Sequence, residues 1–325
     1  MMKIIKRSVL GSLFALTCLS VASVNAVAQD TSKPITLVVP FGSGGSTDLT
    51  ARLLADKLRN ELGQTIVVEN KGGAAGNIGA AQVARATPDG LTLLFITSTH
   101  VSNPSLYKNL SYDVMKDLTP ISRVAFLPNM LVVNKDFPAN TLQEFVSYVK
   151  EKKGPMNYGS SGTGTSQHLA GALFINMAGG GMVHVPYKGG GAAVTDLMGG
   201  QIQLYFGPTV EMVSIIESGR VKVLGVTTKE RTVRFPNVQP INEIFPGYEL
   251  LLWNGIMTTA GSPTGQIERV NAALQKVLTD PEVTKKIYEQ GSIPAPNSVS
   301  DFKLYMESEL KKWAALIQLS GVTAQ

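Results

Sequence analysis

Leu37-Val-Val-Pro-Phe-Gly-Ser-Gly-Gly-Ser-Thr-Asp48 decides how this chain folds. Residues 35–39 form an apolar run that reads as a buried parallel strand, and Pro40 stops it. Three glycines and two serines follow, and an amphipathic helix begins near Thr47. Its leucines, Leu49, Leu53, Leu54, Leu58 and Leu62, recur at helical spacing, with Gly63 at the C′ position. A strand, a glycine-rich turn and a helix N-terminus aim unpaired N–H groups and the positive end of a dipole at one point, which makes a small anion site. The competing reading is a plain βα turn whose glycines serve geometry alone.

The nucleotide readings of this loop fail on its own residues. A P-loop needs Gly-Lys followed by Ser or Thr, and no Gly-Lys pair occurs in the chain. Gly42 and Gly44 fit the first half of G-x-G-x-x-G, but Thr47 stands where the third glycine belongs. Ser46 is not in a G-x-S-x-G elbow, because Asp48 replaces the last glycine. The sequence therefore favours a carboxylate or similar small anion over a polyphosphate.

The chain has 325 residues, 44% hydrophobic and 16% charged, which allows two ordinary domains with a real core. Its first residues read as a secretory leader: Lys3, Lys6 and Arg7, then an apolar stretch over 9–24, then Ala26-Val27-Ala28 as an A-x-A site. Cleavage is expected after Ala28, with the periplasm as destination. The one cysteine, Cys18, falls in the leader, so the mature chain is expected to carry no thiol. Loss of the three leader cations takes the formal net charge from +5 to +2. No basic stripe is left for nucleic acid.

Strand and helix signals then alternate. Residues 66–68 and 91–97 read as strands around a small-residue helix over 76–86, which Pro88-Asp89-Gly90 ends. This βαβαβ order predicts a parallel, doubly wound sheet whose ligand crevice lies beyond the strand carboxyl ends. The opening loop and Ser98-Thr99-His100 both lie there. An extended stretch over 120–134 reads as a crossing into a second domain, and 250–258 as the crossing back. A capping box at Thr141 and Glu144 opens a helix. The opening pattern then returns, with a strand at 156–158, the loop Gly159-Ser-Ser-Gly-Thr-Gly-Thr-Ser166, and a helix over 167–177. Two such loops facing across a cleft would clamp a small anion from both sides, and Thr163 and Thr165 are the hydroxyls the spacing singles out. A plain turn again competes. Further strands are expected over 183–187, 201–206 and 221–227, with surface helices over 267–278, 281–290 and 299–320.

The three histidines, His100, His168 and His184, are dispersed and match no metal-ligand spacing. His168 either donates to a bound anion or braces the loop; His184 reads as a satisfied core residue. Asp48 is either a dipole-favoured acid at a helix start or a contact to a ligand amine, hydroxyl or water. Ser161, His168 and Asp48 assemble a hydrolase triad on paper only, with no elbow motif.

These blocks, taken in order, resemble the Bug-type periplasmic receptors of tripartite tricarboxylate transporters. The resemblance is carried by Val39-Pro-Phe-Gly-Ser-Gly-Gly-Ser-Thr-Asp48, Val68-Glu-Asn-Lys-Gly-Gly-Ala-Ala-Gly-Asn77, Thr97-Ser-Thr-His-Val-Ser-Asn-Pro-Ser-Leu-Tyr107, Tyr158-Gly-Ser-Ser-Gly-Thr-Gly-Thr-Ser-Gln-His-Leu-Ala-Gly171, Val185-Pro-Tyr-Lys-Gly-Gly-Gly191 and Leu278-Thr-Asp-Pro-Glu-Val283. It implies an α/β, two-domain periplasmic-binding-protein fold of the type II flytrap kind, each domain a mainly parallel sheet flanked by helices. Residues 1–28 would be the signal peptide, 29–127 with 253–325 the first domain, and 128–252 the second.

The resemblance also implies a site. Phe41 would shield the ligand, and Gly42, Ser43, Gly44, Gly45 and Ser46 would offer amides and hydroxyls, beside Asp48, Ser98 and Thr99. Ser161, Gly162, Thr163, Thr165 and His168 would answer from the second domain. Gly207 stands where many members carry an acid that favours amino ligands, which points here to a bulkier or purely acidic ligand. The implied partners are a small carboxylate and integral-membrane permease subunits, with no cofactor, no metal and no nucleic acid, and the chain a monomer. The alternatives are a sensor presenting its ligand to a membrane kinase, and a periplasmic hydrolase.

Overall fold

Alternate residues of the first strand, β1 (Ile35–Val39), enter different layers, which is what a sheet covered on both faces demands. Ile35, Leu37 and Val39 pack with Leu54 and Leu58 of α1 (Ser46–Leu62) and with Val270 and Leu274 of α8 (Thr264–Thr279). Val38 faces the other way, into a core that holds Ala80 and Val83 of α2 (Asn77–Ala84). This computed structural model describes residues 33–44, 46–151, 156–187 and 189–321. The leader, Gly45 and Lys188 lie outside them.

Ten strands among the described residues form one sheet. Its order is β2 (Ile66–Asn70), β1, β3 (Thr92–Thr97), β9 (Leu251–Thr259), β4 (Leu118–Asn134), β7 (Leu204–Pro208), β5 (Met156–Ser160) and β6 (Met182–Pro186). β8 (Val221–Val226) and β10 (Ile293–Pro294) also pair with β4. β1 lies parallel to β2 and β3, and β5 parallel to β6 and β7, as expected of two βαβ halves. The strands between them run antiparallel, because the chain crosses outward on β4 and back on β9. β4 and β9 stay paired from Leu118↔Thr259 to Pro128↔Leu251, with two irregularities in register.

Two expectations needed correction. The apolar face of α1 is Ala51, Leu54, Ala55, Leu58 and Leu62, whereas Leu49 is 53% exposed. At about 100° per residue Leu49 projects to the far side from Ala51, whereas Leu53 is half-buried and packs against the margin of that core. Ser98-Thr99-His100 is no loop: Ser98 is the N-cap of α3 (Thr99–Leu106). That helix hides His100, Val101, Ser102, Asn103 and Leu106, so buried polar residues replace the usual apolar stripe and Pro104 sits inside it. Asn103 donates to Asn77 Oδ1 at 2.6 Å, and the Tyr112 hydroxyl donates to the same oxygen at 2.9 Å.

The remaining helices are α4 (Leu142–Glu151), α5 (Ser166–Ala178), α6 (Gly190–Met198), α7 (Thr209–Glu217), α9 (Pro281–Glu289) and α10 (Val299–Ser320). The Thr141 hydroxyl accepts from the Glu144 N–H, while the Glu144 carboxylate takes the Asn140 N–H. No helix among the described residues is long and apolar enough to cross a membrane.

Candidate functional site

Four helices start at one cavity of about 380 Å³, a volume ordinary for a small-molecule site. Thr47 comes from the first turn of α1, Thr99 and Ser102 from α3, Ser166 and Gln167 from α5, and Glu211 from α7. Each first turn carries N–H groups without intrahelical partners and the positive end of a helix dipole. Phe41, Ser98, Ser161, Gly164 and Thr165 complete the loop side of the wall. Leu127, Leu252, Trp253, Asn254 and Trp313 come from the crossing strands and α10.

The first loop is braced from beneath. Asp48 is 2% exposed, and both of its oxygens are engaged by protein groups. Gly44 N–H reaches Oδ2 at 2.8 Å, Arg52 Nε reaches the same oxygen at 3.0 Å, and Asn70 Nδ2 reaches Oδ1 at 2.9 Å. Burial alone would raise this carboxyl; the hydrogen bonds from Arg52, Gly44 and Asn70, with the charge of Arg52, outweigh it and hold it down at about 2. Asp48 is absent from the cavity wall, so its geometry is that of a positioning residue. An Asp48→Asn protein sets an amide N–H against at least one of these donors. It is expected to lose about 1–3 kcal/mol of stability. Urea melts of parent and variant check this, and an unchanged midpoint would refute the bracing role.

Behind Phe41 lies His100, fully buried and edge-on to the Phe41 ring at 6.3 Å. Its Nδ1 lies 3.3 Å from the Thr97 N–H and its Nε2 3.4 Å from Gly76 O. Burial pushes its imidazole down to about 4, against hydrogen bonds to the Thr97 and Gly76 carbonyl oxygens, which favour protonation.

The second loop is shaped by its glycines. Gly164 has φ +78°, and a Cβ there would meet Leu106 of α3 at 2.6 Å, so only glycine lets this loop lie against α3. The Thr165 hydroxyl donates to Gly162 O at 2.7 Å and keeps its lone pairs free to accept or to meet water. Thr163 is exposed and lies off the cavity wall. His168 Nδ1 accepts the Gly164 N–H at 3.1 Å, and its ring stacks on His184 at 3.7 Å and 5°. His184 Nε2 lies 2.6 Å from Ser160 Oγ. Burial lowers both imidazoles to about 4, His184 also through His168.

Among the residues singled out from sequence, then, Phe41, Ser98, Thr99, Ser161 and Thr165 meet at the cavity. Gly42, Ser43, Gly44, Asp48, Gly162, Thr163, His168 and Gly207 lie off its wall, and Gly45 and the Ser46 side chain fall outside the described residues. Gly207 is buried, with Met212 and Tyr205 filling the space a Cβ would take. Ser161, His168 and Asp48 do not join as a triad. The Ser161 hydroxyl donates to Gln167 Oε1 at 3.0 Å, and the other two are committed as above. Among the described residues no His, Cys, Asp and Glu cluster could hold a metal.

Sequence reading missed Thr47, Gln167, Glu211, Trp253, Asn254 and Trp313. The helix-start residues were recoverable from the loop-to-helix pattern; the crossing-strand residues reach the cavity only through long-range pairing. The Glu309 carboxylate Oε2 ties the two indoles together, accepting from Trp253 Nε1 and Trp313 Nε1, each at 2.8 Å.

Comparison with known proteins agrees with this architecture. The model of the tripartite tricarboxylate transporter family receptor, TctC, matches residues 50–322. The structure of the periplasmic binding protein BugD is 34% identical, with a TM-score of 0.77, over 90% of this chain and 99% of that one. Rpa4515 of R. palustris, solved with adipate, is 32% identical with a TM-score of 0.81, over 90% and 98% of the two chains. MatC of Rhodopseudomonas palustris, solved with bound malate, is 30% identical with a TM-score of 0.74, over 87% and 98%. With the α/β periplasmic-binding-protein fold in place and a family match running through nearly all of the described residues, the chain belongs to the tripartite tricarboxylate transporter receptor family.

Proposed function

We propose that this chain is a periplasmic receptor that binds a small carboxylate-bearing ligand and delivers it to the membrane permease subunits of a tripartite transporter. The observation that carries the reading is the convergence of four helix N-termini on one cavity whose described wall holds no lysine or arginine. An anion is then held by N–H groups and hydroxyls in place of a salt bridge, with Thr47, Ser98, Ser161 and Thr165 at hand. The adipate and malate in two relatives support a carboxylate as the class of ligand.

The two halves, 29–127 with 253–325 and 128–252, would close on the ligand about the paired crossing strands β4 and β9, Phe41 then covering it. The leader would be removed after Ala28 on export. Receptor and ligand assemble without cofactor or catalysis, and the receptor acts as a monomer.

A calorimetric and thermal-melt panel of small carboxylates tests this. One ligand at a hundred times its Kd should add about 2.7 kcal/mol of stability through linkage, with a matching rise in melting temperature. A broad carboxylate panel that gives neither heat nor thermal shift would overturn the reading.

A further inference from the structure

One turn at the cavity is built against the preference of its own residues. Gly73, Ala74, Ala75 and Gly76 all have positive φ, at +126°, +47°, +52° and +88°. The outer two are glycines, which adopt such angles without steric cost. Ala74 and Ala75 do not, and among the described residues they are the two non-glycine positions with positive φ. In the left-handed region an L side chain crowds the carbonyl that follows it, so a glycine pair would fit this turn with less strain.

The turn is held in place from several sides. The Gly76 N–H donates to Gly73 O at 3.0 Å and closes it. From α3, Asn103 Nδ2 donates to Ala75 O at 3.2 Å, and the same amide reaches the Asn77 Oδ1 that Tyr112 also engages. A Cβ on Gly76 would meet the His100 ring at 2.8 Å, and one on Gly72 would lie 3.3 Å from Gly42 N, so the segment is pressed between α3 and the first loop. Ala75, at φ +52° and ψ +35°, is exposed and stands on the cavity wall with Phe41, Thr47 and Thr99. Ala74 shares the strained backbone but lies off that wall, lining a separate hollow with Ile78, Arg85 and Tyr107.

Strain kept at a wall position points to a use for the group that causes it, and at Ala75 that group is a single methyl. We infer that the Ala75 methyl is a steric stop that sets the largest ligand the cavity accepts. This rests on the receptor reading above and adds the residue that fixes ligand size. N–H groups at helix starts meet a carboxylate alike in small and large ligands, so they do not select by bulk. A methyl on a clamped turn does, because it retreats only at the expense of the Asn103 hydrogen bond. The competing explanation is that both alanines are a tolerated cost of the turn.

Calorimetry at pH 7.5 separates the two, using straight-chain mono- and dicarboxylates of three to eight carbons with their methyl-branched and phenyl-substituted homologues. The parent should show a cut-off, its affinity falling about tenfold or more at the first homologue too bulky for the site. Ala75→Gly should recover that homologue at least fivefold relative to the parent's best ligand, and should melt no lower than the parent. Ala75→Asn adds bulk through a side chain that left-handed backbone tolerates, and should move the cut-off to a smaller ligand. Ala74→Gly relieves comparable strain off the wall and should keep the parent's profile. A parent that binds but shows no cut-off, an Ala75→Gly protein with the parent's profile, or an Ala74→Gly protein that shifts it equally overturns the steric stop and leaves the receptor reading standing. Binding of no carboxylate in the series by the parent overturns the receptor reading and the steric stop together.

Discussion

A Glu309→Leu protein is expected to lose about 2–6 kcal/mol of stability, a large part of what a typical fold possesses. Glu309 is 3% exposed, with one oxygen shared by two buried indole N–H groups. Leucine fills comparable space and accepts nothing, so both donors are orphaned, at about 1–3 kcal/mol each. Lys312, 3.6 Å from the other oxygen, also loses its partner, though exposure makes that loss small. Glu309→Gln keeps an acceptor and should recover more than half of the deficit. Urea midpoints of the three proteins measure this, and a leucine variant within 1 kcal/mol of the parent would refute the account. Because Trp253 and Trp313 both line the cavity, the same change should also weaken ligand binding.

Acid should unfold the protein earlier than its carboxylates alone would require. His100 is buried in its neutral form, with its imidazole near 4 in the folded chain against an ordinary 6.5. Between those values the unfolded chain binds the extra proton, so stability falls as pH falls. The contribution is fully present above about pH 6.5 and gone below about pH 4, an expected loss of about 3 kcal/mol. His168 and His184 are shifted the same way and steepen the slope, discounted because His184 keeps solvent contact. Urea melts from pH 7.5 to 4.5 should show the fall, and His100→Gln should flatten it whatever the variant's stability at neutral pH. A parent and variant with the same pH slope would sink the assignment.

Much of the fold was legible because its signals are local. The apolar run 35–39, the αL glycine at Gly63 and the Thr141 capping residue each act within a few residues, and each appears where expected. The helix α3 was not legible: its buried face is built from His100, Ser102 and Asn103, whose partners lie 24–28 residues away or nearby in the backbone. The cavity was half legible. Loop position marks Phe41, Ser161 and Thr165, but the direction of a side chain in a glycine-rich loop follows backbone angles such as the +141° of Gly162 and +78° of Gly164, which turn Thr165 inward and leave Thr163 outside. Glu211 looks in sequence like any acid at a helix start, and only the packing of α7 beside α6 and β7 brings it to the cavity wall.

The placement of β9 between β3 and β4 has a consequence for how the chain is made. The strands first to emerge from the ribosome, β1 to β3, have no hydrogen-bonded link to β4 until β9 arrives from far downstream. β4 to β8, in contrast, pair among themselves and can be completed earlier. Synthesis order and assembly order therefore differ: β1 to β3 can pair among themselves, but they join β4 only when β9, a distant strand, is made. If the chain is exported as proposed above, such a delay would leave the first-made part undocked while the middle of the polypeptide is still being extended.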